Sequence, residues 1–340
     1  MQVQPTDYSE GGASGVAPVD DEEPLGAGDA VLLRPDVRAG AGQRLDRFLA
    51  GAIEGVSRTR IQRWIALGAV TVDGAPALPG RRLRGLESIE VSPLPTEAER
   101  AFEPDEVPLA IVHEDADLMV VDKPAGLVVH PAPGNWRGTL MNGLLHARPD
   151  SAGLPRAGIV HRLDKDTSGL MMVARSERAF ERLTAALAAR DIGRRYVAVV
   201  EGVPPERMTI DAPIGRDPRD RLRMAVVAAG RGKPAVTHVS RLAAGDGASA
   251  VECRLETGRT HQIRVHLASR GHPLVGDALY GGRPRAGVAR QALHAWRLDL
   301  AHPTSGAALS FASPIPADLV GLLEACGLSV PGRADVGRAA

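Results

Sequence analysis

Between Gly158 and Arg175 the chain reads GIVHRLDKDTSGLMMVAR. His161, Arg162, Asp164, Lys165 and Asp166 fall within six residues; the small trio Thr167, Ser168 and Gly169 follows, then an apolar run from Leu170 to Ala174. The trio suits a tight turn whose hydroxyl and backbone groups fix a loop, and the apolar run suits a buried strand. Asp164 is thereby placed beside the sheet without belonging to its buried run. A carboxylate held there against fixed cations is equipped for nucleophilic or general-base chemistry. Composition alone fits an ordinary solvated loop as well.

A second stretch, LETGRTHQIRVHLASRGHPLVGDALYGG, begins as a strand, turns at Thr257 and Gly258 and continues as a helix. Thr260 is the expected cap, Ile263 and Leu267 share a face, and Gly271 ends the helix. Arg259 then lies at the positive end of that helix, a seat for a carboxylate or phosphate. His261 and His266 point away from each other on a helix, and no third ligand is spaced to help them, so no metal is expected. Neither a G-x-x-x-x-G-K-[ST] loop, nor G-x-G-x-x-G after a strand, nor a G-x-S-x-G elbow occurs. What survives is a cofactor-free site built on one carboxylate.

The elements that must position these groups are short strands with few helices. DLMVVD, LMMVAR, RYVAVVEG and AVECRLE read as strands, and SERAFERLTAALAARD as a helix opening at Ser176 and burying Phe180, Leu183 and Leu187. The spacing is too irregular for a βαβ array, which predicts an α+β fold with a mostly antiparallel or mixed central sheet. Upstream, RLDRFLAGAI places Leu45, Phe48, Leu49 and Ile53 at helical spacing. SRTRIQRWIALG follows, with Ser57 as N-cap, Gly68 as stop and Ile61, Trp64 and Ile65 in one stripe that Arg58, Arg60 and Arg63 avoid. AVTVDG and ESIEV add short strands around the basic cluster RRLRG.

Charge divides along the chain. The total is zero, yet residues 1–42 hold eight acids and two arginines, a net of −6, so the remainder carries +6. A basic body behind an acidic tail suits a polyanionic partner. The expected organisation is a disordered acidic tail over 1–38, a small α/β module over 40–92, a Pro- and acid-rich linker over 93–109, a catalytic domain over 110–328 and a flexible tail over 329–340. Two cysteines, Cys253 and Cys326, make no disulfide framework. No secretory pattern opens the chain and no apolar run approaches membrane-spanning length, so a cytoplasmic protein is expected.

Six motifs carry a resemblance: KPAGLVVHP (Lys123 to Pro131), HRLDKDTSGL, RRYVAVVEG (Arg194 to Gly202), GKPAVTHV (Gly232 to Val239), TGRTHQIRVHLA and QALHAW. In this order, from about Glu114 to Ile315, they resemble the RluA/RluD family of RNA pseudouridine synthases. HPLVGDALYGGRPR and the block order are most similar to the RluD branch, which acts on a helical hairpin of large-subunit ribosomal RNA. The amino-terminal module resembles the RNA-binding module first described in ribosomal protein S-four.

The resemblance implies isomerisation of specific uridines in large-subunit (23S) ribosomal RNA: the ribose bond to nitrogen 1 breaks, the uracil turns, and carbon 5 rejoins the sugar. No cofactor is consumed, and the target base must leave its stack. The catalytic group becomes Asp164; attack on the base, attack on the sugar and proton abstraction from the sugar all fit it. The pairing that keeps Asp164 ionised is assigned to Arg259, so losing Arg259 is expected to cost turnover more than RNA affinity. Tyr196 is placed on the target base, and Arg162 in the gap that base leaves or on the RNA backbone. His161 is expected to brace the loop, Lys123 and Lys165 to meet phosphate or solvent, and Arg58, Arg60 and Arg63 to meet phosphates, which position without choosing a base. The expected partner is ribosomal RNA or a pre-ribosomal particle, bound by a monomer without metal or membrane. Two rivals keep the fold: an RNA-binding or assembly factor, which has no evident need for Asp164, Tyr196 and Arg259, and a base-removing glycosylase.

Overall fold

The computed structural model describes residues 36–220 and 223–331. The chain divides into two units, one ending at Ala101 and the other running from Phe102. The disordered tail expected at 1–38 lies outside the described residues as far as residue 35; Val37 opens a short 3-10 turn, Val37–Gly40, and is buried. The tail expected at 329–340 lies outside them from residue 332.

In the first unit, α1 (Leu45–Ala52) and α2 (Arg58–Ala66) precede β1 (Val70–Val72), β2 (Ala75–Pro76) and β3 (Ile89–Val91). Ser57 caps α2, its hydroxyl accepting from the Arg60 amide at 3.3 Å, which satisfies one of the amides a helix start leaves open. The apolar stripes of both helices, led by Leu45, Leu49, Ile61 and Trp64, bury against Val70, Val72, Ile89 and Val91. The sheet order is β2-β1-β3, all antiparallel. The connector expected over 93–109 divides between the units. Trp64 Nε1 donates to the Leu94 carbonyl at 3.0 Å in the first, whereas Asn142 Nδ2 donates to the Glu103 carbonyl at 2.8 Å in the second.

The second unit runs β4 (Ile111–Glu114), β5 (Leu118–Lys123), α3 (Leu140–Ala147), β6 (Ser168–Ala174), α4 (Glu177–Ala189), β7 (Gly193–Glu201), β8 (Arg207–Asp211), β9 (Ile214–Arg216), β10 (Met224–Val226), β11 (Val236–Ala244), β12 (Ala248–Leu255), α5 (Gln262–Ser269), β13 (Leu293–Ala301), β14 (Ala308–Ala312) and α6 (Ala317–Ala325). Nine strands join in one sheet, ordered β4-β5-β6-β13-β7-β12-β11-β8 with β14 on β13, while β9 and β10 form a separate ribbon. All pairs in the large sheet are antiparallel except β13 with β6. The sheet is therefore mixed and the class α+β, as the sequence predicts.

Strand β6 is buried along its whole length, because both faces are covered. Met171 and Val173 join Leu140 and Leu144 of α3 and Ile263 and Leu267 of α5. Leu170, Met172 and Ala174 join Ala179 and Leu183 of α4 on the other face. Ser176 caps α4 through the Ala179 amide; Phe180 and Leu187 are only half-buried. At the mouth of β6 the parallel pairing to β13 needs a glycine. Gly169 has φ +116°, and a Cβ there would lie 2.2 Å from the Ala295 carbonyl oxygen.

Candidate active site

Asp164 stands in the loop entering β6, and each of the three residues after it is gripped. The Lys165 carbonyl accepts from Lys123 Nζ at 2.9 Å, the Asp166 carbonyl from Arg290 Nη1 at 3.1 Å, and Thr167 Oγ1 from Gln291 Nε2 at 3.2 Å. The Thr167 amide closes the turn on the Asp164 carbonyl at 3.1 Å. Lys123 also donates to the carbonyls of Pro124 and Leu127, at 2.8 and 2.9 Å. Only 1% exposed, it is an internal tie and not the phosphate or solvent contact expected of it. Burial pushes its pKa down to about 8, against the opposing pull of Asp164 and Asp166.

The loop opens on a cleft of about 400 Å³ lined by Asp164, Arg162, Tyr196, Arg259, His261 and Arg264, among others. That volume falls in the range of small-molecule sites, roughly 300–1,000 Å³. Asp164 is 18% exposed, and its Oδ2 accepts from Arg264 Nη1 at 3.0 Å. Arg264 is itself clamped by Asp277, Nε to Oδ2 at 2.7 Å and Nη2 to Oδ1 at 2.9 Å. Its guanidinium lies over the Tyr280 ring at 5.0 Å. Hydrogen bonds to Asp277 and the charges of both carboxylates raise the Arg264 pKa further, outweighing its burial, so the guanidinium is a permanent cation.

This corrects the pairing expected of Arg259. Its guanidinium lines the cleft but donates through Nε to the Pro234 carbonyl at 3.0 Å, while Arg264 meets Asp164. The reason is where α5 begins. Thr260 is not its cap; His261 occupies that position with φ 55°, ψ 21°, a left-handed conformation costing about 1–2 kcal/mol. The turn is knitted by Gln262, whose Oε1 accepts from Thr257 Oγ1 and the Arg259 amide at 2.8 and 3.0 Å. Arg259 therefore stays in the turn, and Arg264 sits in the first helical turn facing the loop.

The other expected residues fall as follows. Arg162 is exposed at the cleft. Tyr196 lines it from β7 and is 5% exposed, and burial raises its hydroxyl pKa. His161 braces the loop: its Nε2 accepts from the Met172 amide of β6 at 3.0 Å. Burial, with Arg194 nearby, pushes its pKa down to about 3, which keeps that nitrogen an acceptor. In the first unit the three arginines of α2 are each paired with a carboxylate. Arg58 meets Asp46 at 3.0 Å, Arg60 meets Glu99 at 2.9 Å, and Arg63 meets Glu97 at 3.1 Å. Arg60 is buried, contrary to the outward projection expected of it.

The model of the RNA pseudouridylate synthase family matches residues 117–269, and that of the S4 domain residues 43–87. A ribosomal large subunit pseudouridine synthase D of Neisseria meningitidis is 51% identical over 296 residues, covering 84% of this chain and 79% of its own. The chain belongs to the RNA pseudouridylate synthase family. The Escherichia coli K12 protein of the same name is 48% identical over 297 residues, covering 83% of this synthase and 90% of its own length. The solved structure of human RNA pseudouridylate synthase domain containing 4 is similar at a TM-score of 0.54 and 26% identity, covering 66% of this chain and 95% of that one.

Sequence reasoning missed Arg264, Asp277, Tyr280 and the internal role of Lys123. A signal was present in IRVHLA. Apolar residues surround Arg264 on both sides, so a helix buried on most of its surface must carry a buried cation, and a buried cation requires a carboxylate.

Proposed function

We propose that this enzyme isomerises specific uridines of large-subunit ribosomal RNA to pseudouridine, with Asp164 as the catalytic carboxylate. The observation that carries the reading is Asp164 at the edge of the cleft, with one oxygen held by a permanent cation, Arg264, at 3.0 Å. An ionised carboxylate fixed beside a nucleotide-sized opening can act as nucleophile or as base at the sugar. The uracil reaches it only after leaving its stack, at a cost of a few kcal/mol. Tyr196 supplies an aromatic wall for the extruded base, and Arg162 at the rim is free to take its place or hold the backbone. Arg259, with its amide and Nε already bound, offers its remaining guanidinium nitrogens to RNA phosphate.

The S4 unit adds sequence-independent phosphate contacts. The names of the curated relatives support the ribosomal target, and a cytoplasmic location follows from that target. No helix among the described residues is long and apolar enough to cross a membrane.

Tritium release from carbon-5-labelled uridine in large-subunit ribosomal RNA tests the reading. Wild type is expected to release tritium and Asp164→Asn none. Undiminished release by Asp164→Asn overturns the role of Asp164, and free uracil among the products identifies a glycosylase instead.

A further inference from the structure

The two oxygens of Asp164 are treated differently. Oδ2 accepts from Arg264, whereas Oδ1 has His261 Nε2 3.9 Å away, just beyond hydrogen-bonding distance. His261 is aimed from behind. Its Nδ1 lies 2.8 Å from the Tyr280 hydroxyl, and the two rings meet edge to face at 81°. The Tyr280 hydroxyl accepts from the Met224 amide at 3.0 Å, in a residue only 7% exposed.

These contacts favour one imidazole tautomer over the other. Burial lowers the His261 pKa, so the ring is neutral near pH 7. With Met224 already donating to the Tyr280 oxygen, the hydroxyl hydrogen is free to go to His261 Nδ1. The opposite tautomer makes Nδ1 the donor and leaves a buried hydroxyl hydrogen with no acceptor among the described residues, which is costly. The favoured ring therefore carries its hydrogen on Nε2, facing Oδ1.

We infer that Tyr280 sets the tautomer of His261, and that His261 thereby presents a neutral Nε2–H to the free oxygen of Asp164 as a positioning residue for the isomerisation. The inference rests on the reading of Asp164 above. A neutral donor restricts rotation of the carboxylate without adding a second positive charge, so the remaining lone pairs of Oδ1 keep their basicity for the uridine. Closing 3.9 Å to a hydrogen bond takes a shift of about 1 Å, within the tightening common when a substrate enters. The left-handed backbone of His261 fits this role, since strain persists where surrounding contacts over-determine it.

Nitrogen-15 spectra of the full-length protein labelled in histidine read the tautomer directly, with His261→Gln assigning the resonance. Nε2 is expected as the protonated nitrogen at neutral pH; a proton on Nδ1, or on both nitrogens, overturns the inference whatever the enzyme's activity. In single-turnover tritium release, His261→Ala is expected to slow the reaction about 10- to 100-fold, the scale of losing one hydrogen bond to a charged group, with RNA affinity unchanged. His261→Gln, whose amide N–H can stand in for Nε2–H, restores most of the rate, and Tyr280→Phe mixes the tautomers and lowers it. An unchanged rate in His261→Ala, or a loss confined to RNA affinity, overturns the inference. Asp164→Asn run in parallel shows separately whether the reading of the carboxylate holds.

Discussion

Arg264 is locked by Asp277 through two parallel hydrogen bonds, at 2.7 and 2.9 Å, and spends its third nitrogen on Asp164 at 3.0 Å. Asp277 is 1% exposed on its side chain and Arg264 8%, so the cation is aimed by a carboxylate that substrate RNA does not displace. The fork fixes the direction of the guanidinium before any RNA arrives, which is the form of pre-organisation that stabilises charge in a reacting state.

That geometry separates two arginines of one motif. Lysine cannot reproduce a fork to Asp277 and a third bond to Asp164. Arg264→Lys is therefore expected to lower the single-turnover rate about 10²- to 10³-fold, the cost of losing a pre-organised charge donor. Arg259→Ala is expected to weaken RNA binding several-fold and to leave the rate at saturating RNA nearly unchanged. Single-turnover kinetics across a range of RNA concentrations check both. Equal rate losses in the two variants contradict the assignment.

The division of labour between these arginines marks the limit of what the sequence discloses. The loop at Asp164 was legible because a turn, a charged run and a buried strand are all local patterns, and the α+β class followed from short strands with irregular spacing. The partner of Asp164 lies 100 residues away, and α5 begins one residue later than a Thr260 cap implies, with His261 at the cap position. The parallel joint of β6 to β13 was equally hidden, since Gly169 reads as an ordinary turn glycine until Ala295 is brought against it. In the first unit the helical stripe was read correctly, but Glu97 and Glu99 sit in a stretch that looked like linker, so their neutralisation of Arg63 and Arg60 could not be seen.

Those acid partners change what the arginines of α2 are expected to do. Arg60 is 7% exposed on its side chain and its partner Glu99 15%, and Arg60 also stacks on Trp64 at 5.4 Å. Arg60→Ala leaves a largely buried carboxylate without its cation and is expected to cost about 3 kcal/mol or more of stability. Arg63 and Glu97 are 58% and 61% exposed, and removing an exposed pair changes stability by less than about 1 kcal/mol. Denaturant unfolding of the full chain distinguishes the two variants. In RNA binding, Arg63→Ala is expected to change the slope of log affinity against log salt by no more than about one, because Arg63 is the accessible member of the pair.

Acid is expected to weaken the fold through buried histidines beside the Asp164 cleft. His161 and His130 are both held neutral, with pKa values pushed down to about 3 and about 4 by burial and by nearby arginines, from an ordinary value of 6.5. A histidine whose folded pKa is depressed contributes stability that is fully present above 6.5, and the unfolded chain takes up its proton first as pH falls. Stability is therefore expected to fall from about pH 6.5 toward pH 4 and to keep falling toward pH 3. For His161 the cause is explicit: protonating Nε2 destroys the acceptor of the Met172 amide. In His161→Gln the amide oxygen can accept that bond and has no proton to gain. Thermal unfolding measured between pH 7 and pH 4 is then expected to show a shallower pH dependence than wild type; parallel curves for the two proteins would assign the acid sensitivity to other groups.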